Sequence, residues 1–104
     1  MSLPKHLLVV DVSVDPGVEE AWNRWYTDVH LPEIAACPGF RSAARYVSET
    51  PEGRNYLSVY DIVGPQAIES PEFAARRGWA EFRDKVKFKT RIYRQIAAQE
   101  GSNG

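Results

Sequence analysis

Residues 17–40, GVEEAWNRWYTDVHLPEIAACPGF, constrain this chain more than any other stretch. They place two tryptophans, a tyrosine and one of the two histidines on what reads as a single amphipathic helix, which then stops against Pro32, Pro38 and Gly39. At about 100° per residue, Val18, Trp22, Trp25 and Val29 fall in one narrow sector, with Ala21 at its edge. This is the predicted core stripe. Glu19, Glu20, Asn23, Arg24, Thr27 and Asp28 take the solvated arc. Tyr26 and His30 lie side by side on a shoulder of the stripe, where a ring packs on the core while its polar atom reaches a cavity. Glu33 would join them if the helix continued past Pro32. The same spacing also suits two boundary residues half-covered by a sheet, so at this point both readings stand.

The remaining elements follow from periodicity and turn chemistry. Residues 6–14 read as a strand, apolar on both faces at Leu7, Leu8, Val9 and Val10 and then alternating. His6 marks its surface end. Asp15 is the expected N-cap of the first helix, with Pro16 as its first residue and Glu19 and Glu20 favourably placed in the first turn. A short segment at 32–36 follows Pro32. A second strand spans 40–48, with Phe40, Ser42, Ala44 and Tyr46 on one face and Arg41, Ala43, Arg45 and Val47 on the other. Thr50-Pro51-Glu52-Gly53 is a turn, and a third strand at 55–63 completes an antiparallel hairpin. Pro65 opens a short helical turn. A second helix is expected over 71–86, weakened at Gly78. The last strand spans 87–97. Residues 1–98 are then one domain and 99–104 a polar tail. The order β-α-β-β-α-β predicts an α+β, ferredoxin-like fold: a four-stranded antiparallel sheet with both helices on one face. Its other face carries apolar residues as well, which asks for a partner, most simply a second copy packed sheet to sheet.

Charge and cysteine usage narrow the function. With 13 basic against 14 acidic residues the net charge is −1, so no basic field exists to hold nucleic acid. The single cysteine, Cys37, forms no internal disulfide, which fits a reducing, cytoplasmic setting. The N-terminal apolar run is too short and too interrupted for a membrane span or a secretion signal. No Cys/His cluster has metal-ligand spacing, and a His30–Glu33 metal pair would be disturbed by Pro32, so no metal site is expected. There is no phosphate loop and no dinucleotide fingerprint.

At WYTDVHLPEIAACPGF the chain resembles the dimeric α+β barrel superfamily and, within it, the EthD-like branch. The matching residues are Trp25, Tyr26, His30, Pro32, Pro38, Gly39 and Phe40, with Arg45-Tyr46 and Tyr56 to Tyr60 also suiting the pattern. The resemblance implies a homodimer in which two sheets form a barrel, with a cavity for a small apolar or aromatic molecule in each subunit. Relatives include cofactor-free monooxygenases of polyketide phenols, polyketide cyclases, lactone isomerases and haem-handling enzymes, so the likeness specifies fold more than reaction.

The residues themselves suit acid–base work without a cofactor. His30 has an ordinary pKa near neutrality, and Tyr26 can donate to a carbonyl or phenolate oxygen. These two are the candidate catalytic residues. Trp22, Trp25, Tyr60 and Arg45 are the candidate ligand-binding residues, with Tyr56 on the same strand face as Tyr60. A non-catalytic carrier or sensor of a small apolar metabolite needs the same cavity. What separates the two is whether His30 reaches the cavity and has an orienting hydrogen-bond partner. A pure assembly subunit would instead fill the space with its own aromatic side chains.

Overall fold

The apolar run after Lys5 forms β1, His6–Val14. Asp15 then turns the chain, its carboxylate accepting from the Gly17 N–H at 2.8 Å and capping a 3-10 turn, Pro16–Val18. The first helical segment runs as α1 (Glu19–Trp25), a wide π-helical turn (Tyr26–His30) and α2 (Leu31–Ala35). The hairpin follows as β2 (Phe40–Thr50) and β3 (Gly53–Ile62). A 3-10 turn (Pro65–Glu69), a short α3 (Pro71–Arg76), a further 3-10 turn (Ala80–Phe82) and β4 (Val86–Arg94) complete the chain. This computed structural model describes residues 3–102.

The four strands make one antiparallel sheet in the order β2-β3-β1-β4. All the helical segments lie over one face, giving the ferredoxin-like α+β architecture the element order predicts. The molecule is 21 Å thick along its shortest axis, about one sheet plus one helical layer. The registers Leu8↔Tyr60, Val10↔Ser58 and Val12↔Tyr56 place these residues on the helix-covered face, where Leu8, Val12, Tyr56, Ser58 and Tyr60 are buried. The core forms two patches, one around Leu8, Ile34, Tyr60, Ile62 and Phe73, the other around Val12, Trp22, Tyr26 and Phe82. On the opposite face Val9 pairs with Val59 and Asp11 with Leu57, and no helix covers them.

Three sequence expectations need correction. First, the helix does not stop at Pro32. A regular α-helix there would lose a backbone hydrogen bond and clash with the carbonyl one turn back. The wide turn avoids both: the Leu31 N–H donates to the Tyr26 carbonyl, and Pro32 falls in the first turn of α2, where its missing N–H costs nothing. The extra residue in that turn keeps positions four apart in line. Trp22, Tyr26, His30 and Ile34 therefore form the buried row, at 0, 1, 6 and 2% exposure, while Val29 is 50% exposed rather than part of the stripe. Second, a β-bulge between Phe40 and Ser42 turns Phe40 to the face shared by Ala43, so Phe40 packs on the core instead of joining Ser42, Ala44 and Tyr46. Third, the expected helix over 71–86 ends at Arg76. Gly78 takes φ +117° and Ala80 φ +51°, both outside helical geometry, and the break lays Trp79 against Trp22 and Tyr26.

The loop joining α2 to β2 depends on Gly39. Its φ is +83°, and a Cβ there would stand 3.0 Å from the Ala67 Cβ. Gly39→Ala is therefore expected to lower stability by about 1–3 kcal/mol in urea unfolding. Gly53→Ala, at a turn with φ +132° but open space around it, should cost less because it adds backbone strain without a clash.

Candidate functional site

Between the helical layer and the sheet lies a cavity of about 130 Å³. Tyr26, His30 and Ile34 from the first helical segment line it on one side, and Leu8, Val10, Tyr60, Phe88 and Thr90 from the sheet line it on the other. Phe73, Arg77, Gly78 and Trp79 complete the wall. Tyr26 and His30, one turn apart, face the same hollow, and the wide turn keeps them in line with Ile34.

The imidazole of His30 is boxed in by aromatic rings. Trp25 stacks on it at 4.7 Å with an interplanar angle of 14°, and Tyr26 meets it edge-on at 4.9 Å. Its Nδ1 lies 3.2 Å from the Glu33 carboxylate. A carboxylate accepts only, so Nδ1 carries the proton and Nε2 is left with a free lone pair. The i,i+3 approach of His30 and Glu33 survives Pro32 because the helix restarts there, contrary to the sequence expectation. Burial pulls the His30 pKa below its ordinary value, and the Glu33 hydrogen bond and charge offset part of that. The ring is thus a neutral base near pH 7.

Opposite it, the Tyr26 and Tyr60 hydroxyls share a hydrogen bond of 2.8 Å. One of the pair donates, so the acceptor keeps its own O–H to give elsewhere. Burial raises the Tyr26 pKa, and burial together with the Tyr26 neighbour holds Tyr60 protonated far above the ordinary tyrosine range. Both phenols are therefore neutral donors at any physiological pH.

Three of the expected ligand-binding residues do not line the cavity. Trp22 is wholly buried in the core behind Tyr26, and Trp25 backs His30. Arg45 is a fastener between β2 and α1. Its guanidinium donates to the Asn23 side-chain oxygen at 2.9 Å and to Thr27 Oγ1 at 2.8 Å, and covers the Tyr26 and Trp22 rings at 4.5 and 4.9 Å. Tyr56 is likewise occupied, donating to the Glu19 carboxylate and accepting from Asn23 at 3.0 Å. Sequence reasoning missed Arg77, Trp79, Phe88 and Thr90. The one available signal was Gly78 between Arg77 and Trp79, a helix breaker flanked by a cation and a large ring. Among the described residues no cluster of three or more His, Cys, Asp or Glu side chains could hold a metal ion. No helix among them is long and apolar enough to cross a membrane.

A four-stranded antiparallel sheet under helices, with a hollow between them, defines a ferredoxin-like α+β protein, and solved structures share that fold. An EthD family protein of Bacillus halodurans C-125 matches with a TM-score of 0.61 and 18% identity, over 88% of this chain and 99% of that one. A monooxygenase of Streptomyces coelicolor, solved in complex with Nanaomycin D, matches with a TM-score of 0.62 and 18% identity, over 95% and 94%. SnoaB, a cofactor-independent oxygenase of Streptomyces nogalater, solved as a mutant, gives a TM-score of 0.59 and 12% identity, over 96% and 99%. At such identities the likeness is one of fold. No curated protein matches the sequence. Over residues 5–96 the chain belongs to the domain family of unknown function DUF4286.

The His30–Glu33 geometry predicts a titration. Because the folded pKa lies below the ordinary value near 6.5, the unfolded state binds the proton more readily. The ring's contribution to stability is then complete above about pH 6.5 and is lost as pH falls toward the folded pKa. Proton–nitrogen correlation spectra should show His30 titrating below its ordinary value, with Nδ1 protonated. Glu33→Gln should lower the midpoint further, and a midpoint unchanged by that substitution would rule out the pairing.

Proposed function

We propose that this protein is a homodimeric small-molecule-binding protein of EthD-like type. Its cavity performs cofactor-free acid–base chemistry on an aromatic or polyketide-like molecule. One observation carries the proposal: a neutral imidazole, oriented by Glu33 through Nδ1, on the wall of a cavity that also holds a neutral phenol pair. In this reading His30 Nε2 takes a proton from an acidic C–H or O–H of the ligand. The oxygen that gains negative charge receives the spare O–H of the Tyr26–Tyr60 pair. Glu33 stabilises the imidazolium until the proton is returned. Enolisation, cyclisation and isomerisation all fit this sequence. Among the structural neighbours, the cofactor-independent oxygenase and the monooxygenase solved with Nanaomycin D support reading this fold as one that can hold a small molecule and work without a cofactor.

Two features favour an enzyme or carrier over an assembly subunit. His30 borders the cavity with an orienting partner, and the aromatic side chains leave that cavity unfilled. The open sheet face supports the homodimer. Leu7, Val9, Leu57 and Val59 lie side by side there, half-buried, with Tyr46 and Tyr93 58% and 46% exposed at the flanks. Cys37, a free cysteine, suits a reducing compartment such as the cytoplasm.

Turnover of a phenolic substrate by His30→Ala is expected to fall about 10²–10⁴-fold, with ligand affinity changed little. Turnover equal to wild type would reject His30 as the proton carrier, and binding without turnover in the wild-type protein would favour the carrier. Sedimentation of the wild-type chain should give a dimer, and Val59→Asp on the open face should give a folded monomer. A wild-type monomer at micromolar concentration would contradict the sheet-to-sheet partner.

A further inference from the structure

Among the described residues lining the cavity, Arg77 is the one that carries a full charge, since His30 is neutral and the others are uncharged. It is exposed and follows α3 directly, so it marks the outer end of the hollow, while the Tyr26–Tyr60 pair marks the buried end. Among the described residues no carboxylate forms an ion pair with it. Its guanidinium carbon lies 5.7 Å from the centre of the Phe73 ring, another lining residue, so its stem follows the cavity wall. A single cation at the mouth of an otherwise uncharged, apolar-walled hollow draws one negative charge to that end. The buried end offers neutral hydroxyls and suits a neutral oxygen.

Size sets the middle of the ligand. The cavity measures about 130 Å³, and an apolar cavity of about 150 Å³ holds benzene. A single aromatic ring is the class of ligand this volume comes nearest to matching, and two or three fused rings exceed it. We propose that Arg77 anchors the carboxylate of a single-ring aromatic acid, whose ring fills the cavity and whose hydroxyl or keto oxygen meets Tyr26 and Tyr60. The assignment rests on the cavity being a ligand site and narrows its substrate class. A guanidinium fork matches a carboxylate in charge and in plane, and a phosphate dianion would find only half its charge met.

Calorimetric titration with 4-hydroxybenzoate, its neutral methyl ester and a three-ring hydroxyanthraquinone tests the assignment. The acid should bind wild type about tenfold more tightly than the ester. That preference should vanish in Arg77→Met, acid affinity falling to that of the ester in the same variant, and persist in part in Arg77→Lys. Equal binding of acid and ester by wild type, or an acid preference intact in Arg77→Met, would overturn the role of Arg77 and leave the cavity reading standing. Tighter binding of the anthraquinone than of either single-ring probe would overturn the size limit. Binding of none of the three would overturn the cavity reading and this assignment with it.

Discussion

The wide turn at Tyr26–His30 is the constraint on which the rest of the structure depends. Without it, Pro32 would end the first helix and Glu33 would leave the neighbourhood of His30. With it, the helix gains one residue in a single turn, and the row Trp22, Tyr26, His30 and Ile34 faces the sheet as a unit. Wide turns of this kind weaken a helix locally, so their persistence requires support from packing. Here that support comes from three sides. Arg45 binds the exposed flank of α1 to β2, Trp25 stacks on the imidazole, and the Tyr26–Tyr60 hydrogen bond joins the turn to β3.

The polar groups at the buried end of the site are neutral, and that follows from where they sit. A charge taken out of water is costly unless paired, so burial keeps the phenols protonated and the imidazole unprotonated. The side chain of Glu33 stays partly exposed at 36% and reaches the buried ring from outside. This separation is useful. Proton acceptor and proton donors coexist a short distance apart without neutralising each other, and the partner that stabilises a transient imidazolium remains solvated. Outside the cavity, Arg45 is a guanidinium pushed below its ordinary pKa by burial. Its contacts with Asn23, Thr27 and three aromatic rings offset that cost.

Much of this was legible in the sequence, and the misses share a cause. The strand at 6–14, the Asp15 cap, the hairpin and the β-α-β-β-α-β order are local patterns: alternation, turn residues and caps. The structure reproduces them. The wide turn, the bulge after Phe40 and the break at Gly78 are changes of period within an element, and a fixed advance per residue cannot register them. Val29 was misplaced because the helical wheel assumed a uniform 100° step. Tyr26, His30 and Tyr60 border the cavity because both Tyr60 and the helix shoulder face the same layer. Trp22, Trp25 and Arg45 do not, because a large ring or a guanidinium beside a hollow can as readily close it from behind. Arg77 and Trp79 lay inside a stretch read as one helix over 71–86, with Trp79 among its apolar contacts, so the periodicity did not bring Arg77 to the cavity.

The central claim is that the first helical segment and the sheet enclose a hollow that the chain itself leaves unfilled. Xenon enters such spaces without needing a specific chemistry, so methyl-resolved nuclear magnetic resonance under xenon pressure tests it most directly. Saturable shifts are expected at the Leu8, Val10 and Ile34 methyls, with Leu57 and Val59 on the open face responding only weakly and without saturation. Absence of a saturable response at Leu8, Val10 and Ile34 would contradict it.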